Sequence, residues 1–281
     1  MKKFWKMMLV AVMTLTAVFG LVGCGNTFEA KAIQIVGADV ESYGIAVKKG
    51  QGADLLAEIN KVIADWTAGE QGKSKIDQLV DYYQDVYEEN DEAKAPFTVY
   101  LKGDENASSS IIMATESGFA PFEFIDGEQI VGVDVAIMGQ VAKNLGKKLK
   151  IIDVNFESLT ASIFSRADVI AAGFTATDER KKSMDFSDTY FTSTQYIVCA
   201  KDSEIKSLED LKGLAIGAQT GTTGALLVDK EIREGVLKDS GAALKEYKNA
   251  PVAFEDLKKG TIKAIVLDSV PAISLVAKSA K

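Results

Sequence analysis

The run from Ala167 to Arg180 contains the residue types of a receptor for a small carboxylate. Ala167–Ala171 is apolar enough to form a buried strand. Gly173 follows it, and its missing side chain lets a ligand approach the backbone. Thr177 has the position of a helix N-cap, and Arg180 lies in the first turn of the predicted helix. Free backbone N–H groups, a hydroxyl and a guanidinium fork can together bind a carboxylate. No catalytic group accompanies them, so the run predicts binding.

The composition excludes several kinds of chemistry. The 281 residues include no histidine and two cysteines. A serine–histidine or cysteine–histidine nucleophilic system is therefore excluded, and we expect no zinc site and no cofactor. The net charge of −8 argues against a nucleic-acid partner.

The first residues predict export and attachment to a membrane. A lysine-rich start precedes an apolar run from Met7 to Gly23, which is short for a membrane span. The small residues before Cys24 resemble the lipobox of bacterial lipoproteins, in which the leader is removed and the cysteine carries the lipid. We therefore predict a lipoprotein signal peptide over residues 1–23, lipidation of Cys24 and a location at the outer face of the cytoplasmic membrane. An ordinary signal peptide or a short anchor helix is the alternative.

Apolar segments alternate between the periods of strands and helices, which predicts an α/β architecture. The predicted strands are Ile111–Thr115, Leu149–Val154, Ala167–Ala171, Gln195–Ala200, Leu214–Ala218 and Ala264–Asp268. Helices are predicted over Val133–Leu145, over Phe156–Phe164 and from Gly224 onward. The segment Phe156–Ile170 and the segment Phe254–Leu267 follow the same pattern, which predicts two similar lobes.

Residues 172–191 resemble the signature of the family 3 extracellular solute-binding proteins, the amino-acid receptors of ABC importers. Further matching stretches are Ala114–Phe124, Val131–Val135, Ser207–Gly213 and Gln219–Gly224. The resemblance implies a two-lobed, type II periplasmic-binding-protein-like fold in which each lobe is a sheet flanked by helices. It also implies a monomer without enzymatic activity. Such a protein captures a free amino acid and delivers it to an ABC transporter permease.

The resemblance gives each matched residue a role in the site. Arg180 would bind the α-carboxylate of the ligand, with help from Thr175 and from Thr223 at the start of a helix. Asp268 would accept hydrogen bonds from the α-ammonium group, together with the carbonyl of Gly173. The alternative for Asp268 is that it only caps a helix that begins at the next residue.

Four further residues would contact the ligand side chain by the same resemblance. Phe119 and Phe156 match an aromatic pair that encloses it. Glu116 and Gln219 would supply polar partners, which favours glutamine or a cationic amino acid over glutamate. Phe122 and Phe124, close in sequence to this group, are assigned to the core.

The segments occur in an unusual order. Residues 41–50, with predicted helices over Leu55–Asp65 and Ile76–Tyr83, resemble the end of a family member but stand near the start of this chain. We therefore predict a circular permutation, in which residues 95–110 form a polar linker between the usual termini. Phe97–Leu101, within that linker, is a candidate for an added edge strand.

The predicted order also fixes the lobes. The first lobe is expected to contain residues 43–94 and 111–197, and the second residues 28–42 and 198–281. Strands within Ser42–Val47 and Gln195–Ala200 are expected to cross between them.

Two other functions are compatible with the same fold. A sensory module would bind a ligand and signal through a separate partner. A dehydratase acting on cyclic carboxylates would need a positioned acid, for which Glu116 is the candidate.

Overall fold

A computed structural model describes residues 28–68 and 72–280. The predicted leader and Cys24 lie outside the described residues. Within these ranges, no helix combines the length and the apolar character that a membrane span requires.

The strands and helices alternate over most of the chain, in the α/β pattern that the sequence predicts. The strands are β1 Ala30–Gln34, β2 Glu41–Tyr43, β3 Ala46–Lys48, β4 Ser110–Thr115, β5 Gly118–Phe119, β6 Glu123–Asp126, β7 Gln129–Val131, β8 Lys148–Asp153, β9 Val169–Ile170, β10 Met184–Phe186, β11 Phe191–Ser193, β12 Gln195–Ala200, β13 Ala215–Gln219, β14 Ala243–Tyr247 and β15 Ala264–Asp268. The α-helices are α1 Ala53–Thr67, α2 Lys75–Tyr87, α3 Val133–Asn144, α4 Leu159–Ser165, α5 Asp178–Lys181, α6 Thr223–Arg233, α7 Ala250–Lys258 and α8 Ser269–Ser279. Short 3₁₀ turns cover Phe156–Ser158 and Leu208–Leu211.

Two five-stranded sheets share one arrangement. The first sheet has the order β10-β3-β9-β4-β8, and the second has the order β1-β12-β15-β13-β14. In the first, β4 is parallel to both β8 and β9, and β3 is antiparallel to β9 and β10. In the second, β13 is parallel to β14 and β15, and β12 is antiparallel to β15 and β1. The two lobes are therefore built alike, as the repeated sequence pattern predicts.

Helices cover both faces of each sheet, because the central strands are apolar on both sides. In the first lobe, α1, α2 and α3 pack on one face and α4 on the other. In the second lobe, α7 and α8 cover one face and α6 the other. Local sequence sets where several of these helices begin. Ser74 and Asp77 form a capping box at α2, and Asn249 accepts a backbone hydrogen bond at the start of α7.

Within the described residues, the chain passes between the sheets twice, and the two passages pair with each other. β2 and β11 form an antiparallel pair, which we call the crossing ribbon. The prediction that Gln195–Ala200 crosses between lobes is wrong, because this strand pairs with β1 and β15 along its length. The second passage therefore ends just before Gln195.

The prediction of an edge strand at Phe97–Leu101 is also wrong. This segment lies against the core of the first lobe, where the ring of Phe97 meets that of Trp66 edge-on at 5.4 Å. Gly139 in α3 makes the close approach possible, since a Cβ atom there would lie 1.5 Å from the carbonyl oxygen of Tyr100. The segment packs across a helix, so it cannot extend the sheet as a regular strand.

Candidate functional site

A cavity of about 30 Å³ lies between the two sheets. Eight of the nine predicted ligand residues line it, and Glu116 is the exception. The first lobe contributes Phe119, Phe156, Gly173, Thr175 and Arg180, and the second contributes Gln219, Thr223 and Asp268. Residues that are far apart in the sequence therefore meet at one place.

Arg180 is held by the loop that precedes it. The predicted N-cap is present, because the Oγ1 atom of Thr177 accepts a hydrogen bond from the backbone N–H of Arg180 at 3.3 Å. Nη1 of Arg180 donates to the carbonyl of Thr175 at 2.9 Å. Cζ of the guanidinium also lies 3.9 Å from the centroid of the Phe174 ring, within the range of a cation–π interaction.

The guanidinium of Arg180 reaches across the cavity. Nη2 donates to the carbonyl of Gly221 in the second lobe at 3.2 Å. Burial lowers the pKa of Arg180 to about 10, so the group keeps its positive charge at neutral pH. The cavity therefore has one wall with a fixed cation.

Asp268 supplies the opposite charge. It is the last residue of β15, but its carboxylate makes no cap bond to α8, so the capping alternative does not apply. Its oxygens accept hydrogen bonds from the hydroxyl of Tyr43 and from Nε2 of Gln195. Burial raises the pKa of Asp268 to about 7. The charge of Glu41 also raises it, while the bonds from Tyr43 and Gln195 and the charge of Arg180 lower it.

Gly173 has a structural role that the sequence does not reveal. Its φ angle is +52°, in the region that favours glycine, and a Cβ atom would lie 2.4 Å from Cε1 of Phe119. The space left by the missing side chain is filled by this ring. The N–H of Gly173 donates to Oδ2 of the buried Asp134 at 2.8 Å. Burial raises the pKa of Asp134 to about 6.

Glu116 lies behind the cavity wall. It is buried, and its Oε2 atom accepts a hydrogen bond from Nε2 of Gln219 at 3.0 Å. Its Oε1 atom lies 3.5 Å from Nδ2 of Asn249. The carboxylate of Glu116, which the sequence predicts to face the ligand, is therefore in contact with the side-chain amides of Gln219 and Asn249 from the second lobe. Burial raises the pKa of Glu116.

The start of α6 forms part of the wall in the second lobe. Thr222 is its N-cap and accepts a hydrogen bond from the N–H of Ala225 at 3.2 Å. Thr223 is the first helical residue, and its Oγ1 atom lies 3.4 Å from Nε2 of Gln195. Backbone N–H groups in a first helical turn have no acceptor within the helix, so they are available to an anion.

Sequence reasoning missed the two residues whose side chains donate hydrogen bonds to Asp268. Gln195 lines the cavity and bonds to Asp268, and Tyr43 bonds to Asp268 from the crossing ribbon. A signal existed for Gln195, which is a polar residue at the start of an otherwise apolar strand. No comparable signal existed for Tyr43, since a fully buried aromatic residue reads as core.

Residues 111–268 match the model of the bacterial extracellular solute-binding proteins, family 3. The arginine-binding extracellular protein ArtP of Bacillus subtilis (strain 168) is 33% identical over 171 residues, which are 60% of this chain and 65% of that protein. The chain thus spans less than two thirds of the length of this curated relative.

Solved structures give the same picture. The arginine-bound form of truncated ArgBP from T. maritima is 40% identical with a TM-score of 0.56, over 60% of this chain and 78% of that chain. The arginine-, lysine-, histidine-binding protein ArtJ from Geobacillus stearothermophilus is 35% identical with a TM-score of 0.54, over 60% of this chain and 71% of that chain.

We predict that the free energy of unfolding of the unliganded protein falls as the pH rises from about 4 to about 7. Asp268 and Asp134 have folded-state pKa values of about 7 and about 6, above the roughly 3.9 of an unfolded aspartate. In this window the folded protein holds protons that the unfolded chain releases, so a higher pH favours unfolding, by at most about 1.4 kcal/mol per pH unit for each proton.

Urea denaturation at several pH values measures this slope. Asp268→Asn should flatten it between pH 6 and 7, because the titrating group is removed. Asp202→Asn, at an exposed position, is the control and should leave the slope unchanged. A wild-type stability that is constant or rising between pH 5 and 7 would contradict the prediction.

Proposed function

Because the chain belongs to the family 3 bacterial extracellular solute-binding proteins, we propose that it captures a free amino acid between its lobes and delivers it to an ABC transporter permease. One observation carries this function. Arg180 and Asp268 line a single cavity from opposite lobes, and their charges are complementary to the carboxylate and the ammonium of an amino acid. A ligand with only one of these groups would leave one buried charge without a partner.

The carboxylate end of the ligand binds at Arg180. Its Nη2 atom donates to a carbonyl of the second lobe, and a ligand carboxylate is a stronger acceptor than this neutral oxygen. Thr175 and Thr223 lie on the same cavity and add hydroxyl and backbone donors. The ammonium end then faces Asp268, with the carbonyl of Gly173 as a second acceptor.

The side chain of the ligand lies between Phe119 and Phe156, which line the cavity on the first lobe. The next cavity residue is Gln219, and its side-chain amide donates a hydrogen bond to the carboxylate of Glu116. A cationic side chain that displaces this amide would gain a charged partner in place of a neutral one. We therefore favour a cationic amino acid, arginine first, with glutamine as the neutral alternative. The names of the relatives ArtP and ArtJ support this choice.

Ligand capture works through closure of the two lobes. Arg180 lies on helix α5 of the first lobe and Asp268 at the end of β15 in the second, so only the closed form offers both charges to one ligand. The ligand stabilises that form by its higher affinity for it. Binding at about 1 μM corresponds to about −8 kcal/mol, which is ample for such a shift.

We predict that Arg180→Lys weakens binding of L-arginine by roughly 10- to 100-fold, because one point charge replaces a fork that matches a carboxylate. Isothermal titration calorimetry measures the change, after a thermal-shift screen of the twenty amino acids has ranked the ligands. Arg166→Lys, at an exposed position outside the cavity, is the matched control. Unchanged affinity in Arg180→Lys would exclude this site, and a screen without any amino-acid ligand would exclude the function.

We also propose export with a lipid anchor. The lysine-rich, apolar leader over residues 1–23 and Cys24 after it support this location. The acyl chains would hold the protein at the outer face of the cytoplasmic membrane. Cys24→Ser should move the protein from the membrane fraction to the soluble fraction, as measured by fractionation and immunoblotting. A variant that stays with the membrane would contradict the anchor.

A circular permutation is supported by the order of equivalent strands. In the first sheet, the edge strand β10 follows β9 along the chain, whereas in the second the equivalent strand β1 precedes the other four strands of its sheet. The helix after β15, α8, packs against β1. Joining α8 to β1 would therefore give both lobes the same chain order.

A reordered chain tests the permutation. It joins residue 280 to residue 28 through a glycine–serine linker and opens new ends within residues 95–110. We expect it to fold with the same circular-dichroism spectrum and to bind the same amino acid within about threefold, because all sheet contacts are retained. A chain that fails to fold would contradict the permutation.

A further inference from the structure

The crossing strand β2 is bonded to the loop that carries the proposed carboxylate site. The N–H of Gly44 donates to the carbonyl of Phe174 at 3.2 Å, and the N–H of Ala176 donates to the carbonyl of Ser42 at 3.0 Å. Between these bonds, Tyr43 and Thr175 form an isolated antiparallel bridge. The backbone of β2 thereby fixes the loop whose Thr175 carbonyl holds the Arg180 guanidinium.

The side chain of Tyr43 reaches the other half of the site. Its ring is fully buried in the core of the first lobe, where it meets Phe122 edge-on at 5.1 Å and Phe191 at 5.8 Å. Its hydroxyl donates to Oδ2 of Asp268, which belongs to the sheet of the second lobe. The donor is thus placed by one lobe and the acceptor by the other.

The partner strand β11 and the residue after it contact Ser269, which follows Asp268 in the chain. Oγ of Ser193 accepts a hydrogen bond from the N–H of Ser269 at 3.1 Å and lies 2.9 Å from Oγ of that residue. The N–H of Ser269 also donates to the carbonyl of Thr194 at 2.9 Å. Both strands of the crossing ribbon therefore bond to Asp268 or to the residue after it.

A second carboxylate stands beside Asp268. Glu41, also on β2, is 6% exposed, and its Oε1 atom lies 3.3 Å from Nε2 of Gln195. The same amide nitrogen donates to Oδ1 of Asp268. Arg180 is the cation that acts on both carboxylates. The charged and titratable groups that face Asp268 are therefore Tyr43, Glu41 and Arg180.

We propose that Tyr43 is a positioning residue that orients Asp268 for the ligand ammonium, so that the ammonium site is complete only when the crossing ribbon has its closed geometry. This inference rests on the proposed function. It adds that the ribbon is part of the recognition machinery, beyond its role as a connection between lobes. Glu41 has the opposite effect on Asp268: its negative charge disfavours the ionised carboxylate, whereas the hydrogen bond from Tyr43 stabilises it.

Tyr43→Phe removes the hydroxyl and keeps the buried ring. We expect the affinity for L-arginine at pH 7 to fall about tenfold, which is typical for loss of a hydrogen bond to a charged group. Tyr83→Phe is the matched control, because Tyr83 is buried in the same core and does not line the cavity. Calorimetric titration of the full chain with L-arginine measures both variants.

The pH dependence of binding separates positioning from general weakening. The ligand ammonium needs an ionised Asp268, so affinity rises with pH through the pKa of this group. Tyr43→Phe removes a donor that lowers this pKa, and the midpoint should move to higher pH. Glu41→Gln removes a charge that raises it, and the midpoint should move to lower pH. A merely structural role of either residue would not produce opposite shifts.

A measurement without ligand separates this inference from the proposed function. Carboxyl-carbon NMR follows the titration of Asp268 in the unliganded protein, with Asp268→Asn for assignment. Opposite shifts of this titration in the two variants, together with weaker binding by Tyr43→Phe, support the inference. If the wild type binds L-arginine and neither variant changes the titration or the midpoint, the inference is overturned and the function stands. If the wild type binds no amino acid, both the proposed function and this inference are overturned.

Discussion

The site depends on the burial of two opposite charges, one in each lobe. Arg180 extends from the first lobe and Asp268 ends a strand of the second, and both line a cavity with little access to water. A buried charge without a partner is costly, so each lobe carries an unfavourable group unless something complementary is near. The neutral donors and acceptors around them reduce this cost without removing it. The proposed affinity for a molecule with both charges rests on that cost.

The two lobes contribute to the site from equivalent positions. Gly173 follows β9 and Asp268 ends β15, and these strands are the central ones of two sheets with the same order and polarity. The carboxyl ends of parallel strands are where α/β sheets commonly bind ligands. The sequence difference at these matched positions is what makes the halves complementary: one supplies a glycine and a loop that leads to an arginine, the other an aspartate.

Features with local causes could be predicted from the sequence. Gln195–Ala200 and Ala264–Asp268 have the predicted bounds, because each is a mostly apolar run with a single polar residue at one end. Thr177 caps its helix through a bond within one turn. Contacts between distant segments could not. The bond from Tyr43 to Asp268 joins residues 225 positions apart, and nothing around Tyr43 in the sequence distinguishes it from core. The bonds that cover Glu116 are hidden from the sequence for the same reason, since the amides of Gln219 and Asn249 come from the other lobe.

The fit of Phe119 against Gly173 limits how this protein can be redesigned. Any larger residue at Gly173 collides with the ring, and a smaller residue at Phe119 leaves a cavity above a glycine whose backbone conformation other residues rarely adopt. The two positions must change as a pair. Redesign of the proposed ligand site would therefore treat Phe119 and Gly173 as one unit, and likewise Gln219 with Glu116, whose buried carboxylate accepts the Gln219 amide hydrogen bond.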